Sequence, residues 1–280
     1  MNFKSVFYSL LFVLVVVGCK DKDPEPSVQL MTLMNRSTGD VSQINLSTGE
    51  MTSLGNFTIN GGAVIGIRDF VYNSSDDMIY ACQDNNRGGK ILKIDPSTKE
   101  ATVINENTNV NWDAVAEMVV SSGKLLCTNY DNLNNYGLSL VEISTAGVVE
   151  NNYQFKEGDL VYDSNPGMGL CFNSSKTGLM VGSGLDMLST SKTGVISEAT
   201  TVTYSGFPAN TSNGSFGGYI QSLERGSDGK VYAIVSLITD LDAFVQCFAS
   251  YSGGTMTYIS TLNTSGIKYL GLTNLPESVF

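Results

Sequence analysis

The chain has 280 residues, with 16 Lys plus Arg against 27 Asp plus Glu, a formal net charge of −11 and no histidine. Without histidine, Ser-His-Asp and Cys-His catalysis and His-ligated metal sites are excluded, so any catalysis would depend on carboxylates, Lys or Tyr. The acidic charge disfavours nucleic acid and anionic lipid as partners. The 29 Gly against 6 Pro, with only 15% charged residues, are typical of many short strands joined by tight turns.

The first residues predict an export signal. Lys4 precedes an uncharged apolar stretch at 6–17, which is shorter than the roughly 20 residues of a membrane-spanning helix and suits a signal-peptide core. The sequence Val16-Val17-Gly18-Cys19 then resembles the lipobox of bacterial lipoproteins, with Val16 where the family usually has Leu. This resemblance implies a signal peptide over 1–18 and lipidation of Cys19. An ordinary secretory signal is the alternative.

Residues 19–27 are predicted to form a lipidated tether. After Cys19 the segment 20–26 reads Lys-Asp-Lys-Asp-Pro-Glu-Pro, which has no apolar face to bury. Its start is similar to the signal that sends some Gram-negative lipoproteins to the outer face of the outer membrane. The resemblance implies a cell-surface protein held in the outer membrane by acyl chains, palmitate among them, and two or more chains are needed for stable anchoring. The periplasmic face of that membrane is the alternative.

Four further cysteines each lie in an apolar run, and none forms a CxxC pair. They are Cys82, Cys127, Cys171 and Cys247. We expect buried free thiols. One or two disulfides are the alternative in an oxidising compartment.

The body of the chain is a repeat of two hairpins. One hairpin, apolar alternation around a Ser/Thr/Gly turn, occurs at 41–54, 91–104, 140–148, 188–195 and 248–256. The other occurs out of phase with it, at 70–80, 118–126, 170–180 and 223–232. Alternation on both sides of a tight turn is the hairpin signature. Two hairpins in each unit of about 50 residues predict the four-stranded blade of a β-propeller.

The two ends of this repeat complement each other. The segment 28–34 is strand-like but lacks a preceding first strand, whereas Tyr269 to Thr273 supplies a lone first strand near the C-terminus. Joined in one blade, they would remove the free edges of an open array. We therefore predict an all-β fold, a single propeller domain over 28–280 with five four-stranded blades closed by both termini. A β-sandwich or an open β-solenoid explains the hairpins but not this complementarity.

The blades also carry a family pattern, apolar-x-x-Ile-Asp-x-x-Thr-Gly. The segment 91–100 is the closest copy, with Lys99 in place of Gly, and 44–49 matches with Asn45 in place of Asp. In this the chain resembles bacterial secreted propellers of the surface-layer, TolB-like and quinoprotein-like kind. Because unrelated functions share the pattern, the resemblance implies the fold and no catalytic residues.

Long loops are concentrated at one predicted end of the propeller, where binding residues usually lie. The candidate ligand-binding residues in these loops are Trp112, Asp113, Tyr130, Asn132, Tyr136, Asp84 and Arg87. Aromatic faces beside amides and carboxylates suit a polar, ring-bearing ligand such as a glycan. The alternative is that Trp112 caps a blade interface and the Asn-rich runs form turns.

Three carboxylates are candidate catalytic residues. Asp69 and Glu117 occupy equivalent first-strand positions in neighbouring blades, and Glu224 lies in a later one. Five-bladed glycosidases place acidic residues on inner strands in a similar way, and glycoside hydrolysis needs two carboxylates. A slip of one residue would turn such a side chain to the other face, so structural carboxylates are the alternative.

We therefore expect an outer-membrane lipoprotein with a non-catalytic propeller, held to the membrane through Cys19. It would capture a nutrient or glycan beside an outer-membrane transporter, or dock a protein partner. The alternatives are a carboxylate-dependent glycoside hydrolase that uses Asp69, Glu117 and Glu224, and a purely structural interaction protein. No cofactor, metal site or nucleic-acid partner is predicted.

Overall fold

The computed structural model describes residues 29–83, 89–105, 115–131, 137–158, 160–161, 169–208, 217–238, 244–264 and 266–276. Within these ranges the chain is all-β and contains no helix. It follows that no described segment forms a helix long and apolar enough to cross a membrane.

The strands, in chain order, are β1 (Leu30–Asn35), β2 (Asp40–Asn45), β3 (Met51–Asn56), β4 (Thr58–Ile59), β5 (Gly62–Ala63), β6 (Ile67–Asn73), β7 (Met78–Gln83), β8 (Lys90–Asp95), β9 (Glu100–Val103), β10 (Val115–Ser121), β11 (Lys124–Asp131), β12 (Gly137–Ile143), β13 (Val149–Gln154), β14 (Lys156–Glu157), β15 (Leu160–Val161), β16 (Leu170–Phe172), β17 (Gly178–Ser183), β18 (Asp186–Ser191), β19 (Ile196–Thr200), β20 (Thr203–Ser205), β21 (Gly218–Arg225), β22 (Val231–Ile238), β23 (Phe244–Ser252), β24 (Thr255–Asn263) and β25 (Tyr269–Thr273).

These strands build five antiparallel four-stranded blades, as the repeat predicts. Blade 1 has the order β25-β1-β2-β3, and blades 2 to 5 consist of β6 to β9, β10 to β13, β16 to β19 and β21 to β24. The innermost strands β25, β6, β10, β16 and β21 contact one another in this order, and β21 returns to β25. The ring is closed, so the five-bladed propeller is confirmed.

Blade 1 joins both ends of the described chain. In the pairing of β1 with β25, Thr32 lies opposite Thr273 and Leu33 opposite Leu272. This closure confirms the complementarity of the two ends. It also gives each of these strands the partner that an open array would lack.

The hydrophobic core is divided among the interfaces between neighbouring blades. In β7, Tyr80 belongs to the cluster shared with blade 3, together with Leu125 and Val141. The adjacent Ile79 and Ala81 belong to the cluster shared with blade 1. Because successive side chains point to opposite faces and both faces are covered, such strands are apolar without interruption.

The four cysteines of the body lie within these interfaces. Each is free and buried, and the expectation of buried thiols is confirmed. Burial in apolar surroundings raises the pKa of these thiols, which disfavours the reactive thiolate. They are Cys82, Cys127, Cys171 and Cys247.

The turns of the outer hairpins explain the family pattern. Asn45 Oδ1 accepts the N–H of Ser47 at 2.9 Å, and Asp95 Oδ1 accepts the N–H of Ser97 at 2.8 Å. The turns then place Gly49 at φ 71° and Lys99 at φ 59°. The acidic or amide residue therefore holds the turn together, and the family glycine serves the left-handed position.

Several connections between blades also add short strands. β4 pairs in parallel with β9 of the following blade, β20 pairs in parallel with β24, and Lys156 forms a bridge with Val195. The sequence predicts only long loops here. Pairing with the outermost strand shields part of an edge that is otherwise open to another chain.

Gly271 on β25 provides a test of packing around the axis. It has φ 73°, and a Cβ at this position would lie 2.8 Å from Asp69 Cα and 2.9 Å from its Oδ1. We expect Gly271→Ala to lower the free energy of unfolding by about 3 kcal/mol, measured by urea unfolding, because it combines a left-handed backbone with a steric clash.

The matched control is Gly61→Ala. Gly61 has φ 77° and no atom within 4 Å of an added Cβ. Gly61→Ala should lower the free energy of unfolding by about 1 kcal/mol, the cost of a left-handed backbone at a residue with a side chain. Equal losses in the two variants would contradict close packing between β25 and β6.

Candidate functional site

The predicted ligand-binding loops are mostly outside the described residues. Tyr130 lies in β11, opposite Leu138 of β12, and only its backbone is described. The remaining candidates outside the described ranges are Trp112, Asp113, Asn132, Tyr136, Asp84 and Arg87, together with the lipidation candidate Cys19. Their roles stay predictions.

The three candidate carboxylates all lie on innermost strands. Asp69 is on β6, Glu117 on β10 and Glu224 on β21. Asp69 is 2% exposed and Glu117 is 1% exposed, whereas Glu224 is half-buried. Asp69 and Glu117 are therefore shielded from solvent.

Asp69 joins three blades at the axis. Its Oδ2 accepts the N–H of Met118 on β10 at 2.7 Å. The N–H groups of Phe70 and of Leu272 on β25 also lie close enough to the carboxylate to lower its pKa, as the N–H of Met118 does. One side chain thus serves backbone groups on β25, β6 and β10.

Glu117 continues this linkage around the ring. Its Oε2 accepts the hydroxyl of Ser222 on β21 at 3.1 Å. The N–H of Leu170 on β16 also lowers the pKa of the Glu117 carboxyl. Asp69 and Glu117 together therefore contact all five innermost strands.

Both buried carboxyls have a pKa well above the usual range. Burial is the main cause for each, and the negative charges of neighbouring carboxyls add to it. Hydrogen bonds from backbone N–H groups offset part of the rise. Within the described ranges, no three His, Cys, Asp or Glu side chains are arranged to hold a metal ion.

β-Bulges place these side chains. The register of the innermost strand shifts between Ile67 and Asp69 in β6, and between Val115 and Met118 in β10. It shifts again next to Ser222 in β21, and at Gly271 in β25. An inserted residue bends a strand and redirects the neighbouring side chains, which here turns polar groups toward adjacent blades.

A cavity of about 610 Å³, which we call the axial pocket, lies next to this ring. It lies at the end of the propeller that carries the tight turns within hairpins, opposite the end with the long predicted loops. Its lining residues are Val71, Tyr72, Ser74, Val119, Val120, Ser121, Ser122, Phe172, Lys176, Lys192, Glu224, Arg225, Gly226, Ser227 and Asn274.

Three cations line the axial pocket. Lys192 Nζ donates to Ser121 Oγ at 3.1 Å and lies 5.0 Å from the centre of the Phe172 ring. Arg225 Nε donates to the backbone C=O of Phe172 at 3.2 Å. Lys176 is exposed on the turn between β16 and β17. The pocket therefore gathers three cations in a chain whose net charge is −11.

Glu224 is the candidate carboxylate that reaches the axial pocket. Its Oε1 accepts the side-chain N–H of Asn274 at 3.0 Å. Burial raises its pKa to about 8, although the backbone N–H of Arg225, the hydrogen bond from Asn274 and the charges of Arg225 and Lys176 oppose the rise. At neutral pH the carboxyl is therefore mostly uncharged, and the three cations dominate the pocket.

Sequence reasoning missed the axial pocket because its residues come from short turns and strand ends of different blades. Lys176 and Lys192 belong to blade 4, Arg225 to blade 5 and Ser121 to blade 3. A second cavity of about 550 Å³, between blades 3 and 4, has Lys156 as its one charged lining residue among those described. The axial pocket is the stronger candidate, since charged and apolar groups converge in it.

No protein-family model matches the chain, and no curated protein matches it by sequence. Among solved structures it is similar to a protein of unknown function from Bacteroides caccae, at 13% identity over 90% of this chain and 89% of that chain, with a TM-score of 0.49. It is also similar to an endo-arabinase from Bacteroides thetaiotaomicron VPI-5482, at 14% identity over 71% and 82% of the two chains, with a TM-score of 0.46. A gluconolactonase from Xanthomonas campestris gives 10% identity over 86% and 79%, with a TM-score of 0.45. These similarities concern the fold, and no activity is transferred from them.

The buried carboxyls predict how stability depends on pH. Because their pKa is raised in the folded state, the folded protein keeps protons that the unfolded chain releases, so stability should fall as pH rises above about 5. The chain has no histidine to titrate in this range. We expect the free energy of unfolding to fall between pH 5 and 8, by on the order of 1 kcal/mol per pH unit.

Neutral variants identify the groups responsible. Asp69→Asn and Glu117→Gln should each make the fall between pH 5 and 8 shallower in urea unfolding. The exposed Glu50→Gln in the turn between β2 and β3 is the matched control and should keep the wild-type slope. A wild-type stability that is constant or rises over this range would contradict the assignment.

Proposed function

We propose that this protein is a lipid-anchored binding protein that holds a small organic anion in the axial pocket. The observation that carries the proposal is the convergence of Lys176, Lys192 and Arg225 on a cavity of about 610 Å³ in a chain with a net charge of −11. Positive charge gathered in a cleft attracts anions and raises their local concentration.

The hydrogen bonds of these cations support the proposal. Lys192 donates to the hydroxyl of Ser121, and Arg225 donates to the carbonyl groups of Phe172 and Gly229. These acceptors are uncharged, whereas Lys124 elsewhere in the protein has a charged partner, the Glu142 carboxylate, at 2.7 Å. A bound anion would therefore supply the negative charge that these acceptors lack.

The rest of the lining indicates the kind of anion. Apolar surface from Val71, Val120 and Phe172 lies beside the hydroxyls of Ser121 and Ser227. The volume is within the range of small-molecule sites, roughly 300 to 1,000 Å³. A carboxylate or sulfate on a ring-bearing body, such as an acidic sugar, combines the required charge, hydroxyls and apolar faces.

The described chain begins at the same end of the propeller, which supports an anchor on that side. The C=O of Gln29 accepts the N–H of Leu46 at 3.0 Å, in the turn after β2, so the described chain begins at the end where the axial pocket opens. The nine residues from Lys20 to Val28 span at most about 30 Å when fully extended. A lipid on Cys19 would hold the pocket close to the outer membrane and to a transporter that accepts its ligand.

The burial of Asp69 and Glu117 supports binding over glycoside hydrolysis. Hydrolysis needs two carboxyl groups that flank the bond to be broken. Of the three candidates, Glu224 lines the axial pocket, whereas Asp69 and Glu117 hydrogen-bond neighbouring strands. We therefore assign Asp69 and Glu117 to the scaffold and Glu224 to the pocket.

Calorimetric titration tests the anion site. We expect the purified protein to bind glucuronate and not its neutral analogue glucose. Lys192→Gln should weaken glucuronate binding by at least about tenfold, because a hydrogen bond to a charged group contributes roughly 1.5 to 3 kcal/mol. Lys230→Gln is the control, since Lys230 lies at the same end, outside the lining, and pairs with Asp228. Equal effects of the two substitutions would indicate general charge attraction and contradict the site.

Membrane fractionation tests the anchor. Wild-type protein should appear in the outer-membrane fraction and incorporate labelled palmitate. Cys19→Ser should abolish both, because the residue to be acylated is lost. Cys247→Ser, at a buried thiol, is the control and should stay in the membrane fraction. Unchanged membrane attachment of Cys19→Ser would contradict lipidation.

A further inference from the structure

Glu224 is the one carboxyl among the described lining residues of the axial pocket. Oε1 accepts a hydrogen bond from Asn274, whose side chain also donates to the C=O of Arg225 at 2.6 Å. The backbone N–H of Arg225 also lies close enough to the carboxylate to lower its pKa. Glu224 is half-buried and lines the pocket, so its carboxyl group can meet a bound molecule.

The groups around Glu224 are cations on the pocket side and buried carboxyls on the side of the ring. On the pocket side lie Lys176 from the turn between β16 and β17, Lys192 from the turn between β18 and β19, and Arg225. On the side of the ring lie the buried carboxyls of Asp69 on β6 and Glu117 on β10. The hydroxyl of Tyr72, another lining residue, is hydrogen-bonded to Asp77.

We propose that Glu224 is protonated when an anion occupies the axial pocket, and that the neutral carboxyl donates a hydrogen bond to the anion. This inference deepens the proposed function and rests on it. The ligand class is a permanently charged organic anion whose acidic group sits among Lys176, Lys192, Arg225 and Glu224. Binding then takes up one proton from solvent wherever Glu224 is ionised in the empty protein.

The reason is that a carboxylate and an anion in one partly desolvated pocket repel each other. Protonation of Glu224 removes the repulsion and creates an O–H donor, and O–H to O⁻ hydrogen bonds are among the stronger ones. Burial already favours the neutral form, which raises the pKa of Glu224 to about 8, so little free energy is needed to supply the proton at pH 7. Above that pH the proton becomes harder to supply and affinity falls.

The test measures affinity against pH with glucuronate, benzoate and sulfate, none of which titrates between pH 6.5 and 9. Calorimetric titration of the full chain at constant ionic strength should give binding roughly tenfold weaker at pH 9 than at pH 6.5, since ionisation of one group costs a factor of ten per pH unit above its pKa. Titrations at pH 8.5 in two buffers of different ionisation enthalpy should show proton uptake.

Glu224→Gln should remove the pH dependence, so that the ratio of affinities at pH 6.5 and 9 falls from about ten to about one. Glu50→Gln, an exposed carboxyl outside the pocket, should keep the wild-type ratio, and thermal unfolding checks that both variants fold. Equal wild-type affinity at both pH values, or pH dependence that persists in Glu224→Gln, would overturn the proton linkage alone. Failure of all three anions to bind at any pH would overturn the anion site and the inference with it.

Discussion

A strand next to the axis of a propeller has one edge without a partner strand, and the backbone groups on that edge still need hydrogen bonds. In this protein two buried carboxyls meet part of that need. Asp69 accepts a hydrogen bond from Met118 of one neighbouring blade and lies beside the N–H of Leu272 of the other, and Glu117 extends these contacts to the remaining two blades. β-Bulges in the innermost strands place these side chains, and Gly271 allows β25 to approach Asp69 closely.

The axial pocket lies next to the innermost strands that carry these carboxyls. Glu224 lines the pocket with the cations Lys176, Lys192 and Arg225, and its charge acts on the buried carboxyls of Asp69 and Glu117. Desolvation favours the neutral form of Glu224, which leaves the three cations available to an anion.

The sequence predicts the fold well because each blade repeats the same turn chemistry and strand alternation, as at Asn45 and Asp95, and because β1 and β25 complement each other. The carboxylates on the innermost strands are also identified by alignment of the blades. The burial and partners of these carboxylates cannot be predicted from that alignment. A bulge such as the one before Asp69 changes the direction of a side chain without a clear signature in the sequence. The axial pocket escapes prediction for another reason, since turns distant in sequence supply its residues.

Residue-resolved hydrogen exchange of Asp69→Ala tests most directly whether the buried carboxyls hold the ring together. We expect faster exchange than in the wild type at Met118 on β10 and Leu272 on β25, as well as on β6, because the substitution removes a carboxylate that lies against N–H groups of three blades. Exchange that becomes faster only within β6 to β9, the blade that carries Asp69, would contradict it.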